Sequence, residues 1–405
     1  MSKKTSSRGI VVKFKGDSYT KYGFFPLLAW YMMEILSLPS YFTILTVKKK
    51  RNRKNPIKRR KPQYDASQMC LGIISIILLG IPNLRKINDL LSTETKIANL
   101  IGLKKFFDQS TAHLFLNEFD KWHVDQLDRI NQELLIRYGE AIHQDPLVID
   151  IDATTHSLES RKRERAVLGY NKKNRGKPCY QWTVAFVKGE AVYQKLASGN
   201  TSCKTPFEPT ICKVKERLGE KEVAIARVDG GYVSGKHLIF AIKEEIQIVT
   251  VVPYKWIMAQ GMDLKEHKWI TYDKDTHIYD LGEMVPFSTA PCQYRTILVR
   301  KKQHPFPNKK KKKAKTIYYG IIENLKVRLS AQDLFRFYQQ RQTIENFFKE
   351  SKQSFASGRM PSQRFRGNEA YLQLVTTACN CFQWFKKNFC HQSGPIFLWT
   401  GFELK

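Results

Sequence analysis

The sequence predicts an α/β protein in which a mixed-sheet core carries a β-rich insertion and follows an α-helical N-terminal domain. Residues 64–140 repeat apolar side chains at three- and four-residue spacings, which is typical of helices. From 141 to 252, β-branched apolar runs alternate with helical patterns, which is typical of an α/β core. Short strand patterns separated by charged turns fill residues 253–330, and helical patterns return over 331–405.

Composition indicates a folded, strongly cationic protein. The 405 residues suggest about two or three domains. Hydrophobic residues make up 42%, which excludes a disordered basic tail, and 68 Lys and Arg against 37 Asp and Glu give a net charge of +31. Such an excess usually serves a polyanionic partner, so nucleic acid is favoured over an anionic membrane surface.

The cysteines and the apolar stretches favour a cytoplasmic protein that does not span a membrane. The eight cysteines contain no CxxC pair, so reduced thiols are expected rather than a zinc site or a disulfide scaffold. No apolar run follows the first lysines as a secretory signal would require. Residues 23–47 are interrupted by Pro and Glu, and residues 71–81 are too short to cross a bilayer, so both are expected to be buried helix.

The first two segments differ sharply in charge. Residues 1–63 form a basic N-terminal segment, and nine of the thirteen residues from 48 to 60 are Lys or Arg, which predicts an extended linker. In the helical domain that follows, Asp65 or Ser67 is placed to cap a first helix.

The core and the insertion are predicted from alternation and turn residues. Strand patterns occupy 147–155, 180–187, 191–198, 222–229 and 246–252, with helical patterns at 206–219 and 234–245. The insertion shows four short strands and a lysine run at 309–313. After Ser330 the pattern predicts one long helix to about residue 355, and then another over 370–390.

Four carboxylates occupy positions that favour a shared site. Asp150 and Asp152 are two residues apart on one strand, so their side chains point to the same face. Asp229 ends another apolar strand before two glycines, and Glu345 lies in the long helix. Each alone is commonly a solvated or capped strand end, but together they suggest acidic residues brought to adjoining strand positions of one α/β sheet.

The long helix aligns four polar side chains. At about 100° per residue, Tyr338, Arg341, Glu345 and Lys352 fall within a stripe roughly 60° wide, beside an apolar flank. The alternative is an ordinary amphipathic helix with Arg341–Glu345 pairing, worth a few tenths of a kcal/mol. The spacing alone therefore favours the ordinary amphipathic helix.

The stripe and the aspartates resemble a known family. Tyr-x2-Arg-x3-Glu-x6-Lys, written YQQRQTIENFFKESK here, is similar to the YREK signature of DDE transposases from bacterial insertion sequences. Asp152 in DIDATT resembles the first aspartate of that group, and Asp229 in RVDGGY resembles the second. The likeness runs from about residue 65 to 390.

The resemblance implies a fold and a chemistry. It implies an RNase H-like catalytic core with the β-rich insertion between Asp229 and Glu345, an interval of 116 residues. Asp152, Asp229 and Glu345 would be the catalytic residues and would hold Mg²⁺ or Mn²⁺, as two ions. The protein would then cut and join double-stranded DNA at transposon ends and in target DNA, as a homodimer in the cytoplasm of a bacterium, associated with the nucleoid.

The resemblance also implies DNA contacts. Tyr338, Arg341 and Lys352 would bind phosphates of the transposon end, and the helical domain over 64–140 would recognise that end. Trp256 and Trp269 are candidates for an aromatic side chain that holds a flipped base, although a core tryptophan is the favoured reading of either. Charge rather than the resemblance predicts that the lysine run binds the DNA backbone, through Lys309, Lys310, Lys311 and Lys312.

Three alternatives stay open from the sequence. The first is a catalytically silent or domesticated DNA-binding relative. The second is an RNase H-like nuclease that cleaves without joining. The third is a basic RNA-binding structural protein, which would need no aligned carboxylates.

Overall fold

The computed structural model describes residues 20–47, 63–171, 174–202, 206–261, 269–304 and 314–389. The basic linker over 48–62 and the lysines from Lys309 to Lys312 lie outside the described residues, so their predicted roles remain predictions.

Short helices dominate the N-terminal part, as the apolar spacing predicts. Asp65 and Asp120 each accept a hydrogen bond from the backbone three residues on and so cap the two longest of these helices. The helices are α1 Phe25–Trp30, α2 Leu38–Phe42, α3 Ala66–Leu78, α4 Ile87–Leu91, α5 Thr95–Asn99, α6 Gln109–Asn117 and α7 Lys121–Tyr138. A π-helical turn covers Tyr31–Ile35, and 3₁₀ turns cover Leu84–Lys86 and Ala141–His143.

The centre of this helical part is α3. Every residue of α3 from Met69 to Leu78 is buried, including Ser75, which confirms the prediction of a buried apolar helix. The C-terminal helix α13, Phe365–Phe389, packs against both α3 and α7. Within the described ranges, no helix is both long and apolar enough to cross a membrane.

The segment over 20–47 packs onto the same helices. Its α2 lies against α3 and α7. The ring of Tyr31 meets the rings of Phe385 and Phe389 on α13 edge to face, at centroid distances of 5.5 and 5.6 Å. The apolar half of the predicted N-terminal segment therefore contributes to the helical core.

Ten strands of the described residues form one mixed sheet. They are β1 Leu147–Ser157, β2 Val167–Leu168, β3 Pro178–Val187, β4 Glu190–Ser198, β5 Val223–Val228, β6 Gln247–Pro253, β7 Ile270–Thr271, β8 Thr276–Met284, β9 Tyr294–Gln303 and β10 Lys315–Glu323. The helices α8 Phe207–Arg217 and α9 Gly235–Lys243 connect β4 to β5 and β5 to β6, and α10 Tyr254–Met258 follows β6.

The order and direction of the strands are those of an RNase H-like core. β3 runs antiparallel to β1 and to β4, while β5 runs parallel to β1 and β6 runs parallel to β5. The predicted β-rich insertion continues this sheet, because β10 pairs antiparallel with β6 and is followed outward by β9, β8 and β7. The predicted fold class is therefore confirmed.

The prediction of one long helix after Ser330 is wrong. The segment forms two helices, α11 Ala331–Gln339 and α12 Gln342–Gln353, with the break at Gln340 and Arg341. The backbone N–H of Arg341 donates to the carbonyl of Tyr338, three residues back. The carbonyl of Phe337 instead accepts from the guanidinium of Arg227, at 2.8 Å. A side chain from β5 thus takes the place of the next helical hydrogen bond.

A buried carboxylate, Glu190, joins the sheet to the helical part. Its oxygens accept hydrogen bonds from the backbone N–H groups of Glu140 and Ala141, at 3.0 and 2.9 Å, and from the indole N–H of Trp384, at 3.0 Å. Lys387 lies 3.3 Å away and also pairs with Glu140.

Glu190→Gln should lower the free energy of unfolding by about 1–3 kcal/mol, because an amide NH₂ then faces donors that need an acceptor. The measurement is the midpoint of thermal unfolding by calorimetry. Glu140→Gln is the matched control, since its side chain is 53% exposed and an exposed ion pair contributes at most about 1 kcal/mol. Equal effects of the two substitutions would contradict the role assigned to Glu190.

Candidate active site

Asp152 and Asp229 lie side by side at one end of the parallel strand pair β1 and β5. The register places Ile151 opposite Val228, so the next residue of each strand is one of the two aspartates. The turn after Asp229 passes tightly against β6: a Cβ on Gly230 would lie 2.7 Å from the carbonyl oxygen of Val251. Glycine is therefore required here by close backbone approach.

Arg341, at the break between α11 and α12, contacts both Asp152 and Glu345. Its Nη1 donates to Asp152 Oδ2 at 3.0 Å, and its Nη2 donates to Glu345 Oε1 at 3.5 Å. The guanidinium also lies over the ring of Tyr338, 5.8 Å from its centroid. Arg341 thus contacts two other members of the predicted polar stripe, Tyr338 and Glu345, as well as Asp152 on β1. These stripe residues stay together across the break between α11 and α12.

Burial and like charge shape the electrostatics of this cluster. Burial raises the pKa of Asp152, the charge of Arg341 opposes that shift, and the neighbouring Asp229 adds to it. Burial also raises the pKa of Tyr338, so its phenol stays protonated. The pKa of Arg341 is raised even though burial acts to lower it, because Tyr338 and the two aspartates favour the cation.

The side chains of Glu345 and Lys352 have different surroundings. The side chain of Glu345 is 62% exposed, so it faces solution beside the half-buried Asp152. The Nζ of Lys352 donates to Thr154 Oγ1 and to the carbonyl of Thr155, at 2.9 Å for the latter. Lys352 therefore meets β1 just beyond Asp152.

The pair of Asp150 and Arg227 supports this arrangement, and Arg227 is a site residue not predicted from the sequence. The two residues face each other in the register of β1 and β5. Nε and Nη2 of Arg227 each donate to Asp150 at 2.7 Å, while Nη1 donates to the carbonyl of Phe337 and to Gln340 Oε1. An arginine two residues before Asp229 lies on the same strand face, and that spacing is the signal that could have revealed it.

The two candidate tryptophans lie in different surroundings. The ring of Trp269 packs against Tyr279 and Tyr318, and the guanidinium of Arg300 lies 4.6 Å from its centroid. Trp256 contacts Phe287 at 5.1 Å and lines an open groove. That groove also includes Val233 and Ser234, which follow the Asp229 turn.

Residues 50–394 match the model of the family described as transposase DDE domain group 1. The chain belongs to this family. No curated protein matches its sequence significantly.

Two solved transposase structures are similar to this DDE-domain chain at low identity. A cryo-EM structure of the piggyBac transposase synaptic complex with hairpin DNA is 11% identical, covers 90% of this chain and 75% of its own, and has a TM-score of 0.48. A crystal structure of a pre-cleavage Mos1 transpososome is also 11% identical. It covers 57% of this chain and 78% of its own, with a TM-score of 0.20.

The donor chemistry of the cluster fits a divalent cation. Carboxylate oxygens are the ligands that Mg²⁺ and Mn²⁺ prefer. Asp152 and Asp229 lie close enough for the charge of one to raise the pKa of the other, and a cation would relieve that repulsion. In the described residues, no group of three or more His, Cys, Asp or Glu side chains is gathered for a metal, and Arg341 supplies the positive charge between Asp152 and Glu345.

His156, four residues beyond Asp152 on β1, is buried against Trp182 at a centroid distance of 5.6 Å. Burial, with the charge of Lys352 adding to it, lowers the pKa of His156 to about 3. The imidazole is therefore neutral in the folded DDE-domain protein and packs as part of the core behind the site.

Stability should fall as the pH drops below the ordinary histidine range, because only the unfolded chain then protonates His156. The loss from this residue should approach about 1.4 kcal/mol per pH unit below about 6.5. His156→Phe should make unfolding less sensitive to acid, as measured by denaturant unfolding between pH 7.5 and 5. His143→Phe, at an exposed position, is the control, and an unchanged acid sensitivity in His156→Phe would contradict this account.

Proposed function

We propose that this chain is a DNA transposase that cuts and joins DNA at the ends of its own insertion sequence. The observation that carries the proposal is the meeting of Asp152 and Glu345 on the guanidinium of Arg341, with Asp229 beside them. Residues far apart in the chain supply these groups, in a family defined by a DDE transposase domain. An ordinary amphipathic helix would not require the carboxylate of Asp152 at the same guanidinium.

Asp152, Asp229 and Glu345 would hold two Mg²⁺ or Mn²⁺ ions. When bound, such ions activate a water or a 3′-hydroxyl and stabilise the leaving oxygen in an in-line displacement at phosphorus. Asp152 lies on β1 and Asp229 directly follows the paired strand β5, so the backbone holds both aspartates in place. Glu345 is exposed on α12, so it faces the side from which DNA can approach.

The basic side chains around the carboxylates would position the DNA. Arg341 has the planar fork that suits a phosphate, and Lys352 of α12 contacts β1 at Thr154 and Thr155, just beyond Asp152. Tyr338 keeps its phenolic proton and can donate a hydrogen bond to a phosphate oxygen. Double-stranded transposon ends and target DNA are the partners that the net charge of +31 favours, and a homodimer would hold two ends together.

Trp256 is the better of the two candidates for stacking on an unpaired base. A flipped base needs a large aromatic surface with space beside it. Trp256 lines an open groove beside the Asp229 turn, whereas the ring of Trp269 already packs against Tyr279, Tyr318 and Arg300.

Asp152→Asn, Asp229→Asn and Glu345→Gln should each reduce cleavage of a labelled duplex carrying the element's end by about a thousandfold or more. Each substitution removes one charged oxygen ligand and keeps the shape of the side chain. The assay runs purified protein with Mg²⁺, Mn²⁺ or EDTA and scores both cut ends and products joined to a target plasmid. DNA binding, measured in EDTA, should stay within a few-fold of wild type.

Glu350→Gln is the matched control, because it lies on the same helix about 140° around from Glu345. Cleavage without joined products would favour a nuclease, and tight binding without any cleavage would favour a silent DNA-binding relative. Full metal-dependent activity in Asp229→Asn would overturn its assignment as a ligand.

A further inference from the structure

A cleft outside the carboxylate cluster lies where the helical part meets the end of β1. Its walls are the turn before α4, one residue of α6, the end of β1 with the loop that follows it, and the segment between α12 and α13. Its lining residues with charged or titratable side chains are Arg85, His113, Glu159, Arg163 and Arg359.

The cleft is positively charged. Three guanidinium groups face one carboxylate, that of Glu159, which leaves a net charge of +2 with His113 neutral. Burial lowers the pKa of His113, and the charges of Arg85 and Arg163 lower it further. The local potential therefore repels an additional proton and attracts an anion.

Arg163 is held rigidly inside the cleft. Only 8% of the residue is exposed, and its Nη1 donates to the carbonyls of Met360 and Ser362, at 3.0 and 2.6 Å. Its Nε has no hydrogen-bond partner among the described residues. A buried guanidinium with unused donor capacity is stabilised by an acceptor with negative charge.

Arg85 and Arg359 are the accessible cations of the cleft. Both are exposed, and within the described part of the chain neither side chain forms a hydrogen bond or an ion pair. Cations that are not neutralised by the protein itself remain available to an anion from solution.

The cleft lies in line with the proposed active site. β1 continues for five residues from Asp152 to Ser157, which corresponds to roughly 16 Å of extended chain. Lys352 contacts β1 at Thr154 and Thr155, between Asp152 and the cleft. Basic side chains thus lie along β1 from Arg341, past Lys352, to the arginines of the cleft.

We propose that this cleft binds a backbone phosphate of the DNA strand that passes through the active site. The site takes the phosphodiester anion, with Arg85 and Arg359 as direct contacts and Arg163 as the fixed charge behind them. At about 3.4 Å of rise per nucleotide, the bound phosphate lies within about five nucleotides of the scissile one. This inference rests on the proposed function, and it adds a contact that sets the register of the DNA.

The first experiment measures the salt dependence of binding to the element-end duplex in EDTA. The Arg85→Gln/Arg359→Gln double variant should lose about 0.9 in the slope of log K against log salt for each phosphate contact removed. Arg137→Gln, an exposed arginine at the far end of α7, should leave the slope unchanged. An unchanged slope in the double variant would overturn the proposal.

A second experiment locates the phosphate. One neutral methylphosphonate is placed at successive positions of the duplex, and each binding constant is measured for wild type and for the double variant. At one position within about five nucleotides of the cut, the methylphosphonate should weaken DNA binding by the wild type but not by the double variant. The neutral phosphate and the arginine substitutions each remove the same contact, so their effects do not add. The absence of any such position would overturn the proposal.

Two further readouts separate the possible failures. The binding of inorganic phosphate is measured by calorimetry. If the double variant loses phosphate binding but keeps the wild-type salt slope for DNA, the cleft is a small-anion site and the proposal is overturned. Because the binding assays contain EDTA, they are independent of chemistry. A wild-type protein that never cleaves would overturn the proposed function, while the binding results would still decide the role of the cleft.

Discussion

Carboxylates gathered at the ends of neighbouring strands repel one another. Two arginines offset this repulsion here and allow the acids to lie close together. Arg227 neutralises Asp150 through two hydrogen bonds, and Arg341 pairs with both Asp152 and Glu345 and so offsets part of their negative charge. Both guanidinium groups are largely buried. Removal of one partner from such a pair leaves an uncompensated buried charge, so the acids and the arginines depend on one another.

The same two arginines connect the sheet to the helices that complete the site. Arg227 caps the end of α11 through the carbonyl of Phe337, and its guanidinium lies 4.7 Å from the centroid of that ring. The helix therefore ends at this point, and Arg341 begins α12 facing Asp152. The position of Glu345 follows, because it lies one turn further along α12 and shares the guanidinium of Arg341.

Much of this arrangement could be predicted from the sequence. The apolar spacing of residues 64–140 and the alternation in LVIDIDATT are local signals, and local signals largely determine whether a segment forms helix or strand. The chain's family is likewise readable from short motifs around Asp152, Asp229 and Glu345. These features needed no knowledge of distant contacts.

The features that the sequence did not reveal depend on distant contacts. The break between α11 and α12 is set by Arg227, more than a hundred residues earlier, and the segment itself shows an uninterrupted helical pattern. Trp256 and Trp269 lie in similar local sequences, but only the packed fold separates an open groove from an aromatic cluster. The cleft arginines come from three separate stretches, so no single motif identifies them.

The carboxylate site is best tested by the structure of the protein bound to its element-end duplex with Mn²⁺, with the ions located by anomalous scattering. We expect anomalous peaks about 2.1 Å from carboxylate oxygens of Asp152, Asp229 and Glu345, with the cleaved phosphodiester beside them. Peaks at other carboxylates, or a scissile phosphate lying away from this cluster, would contradict this assignment.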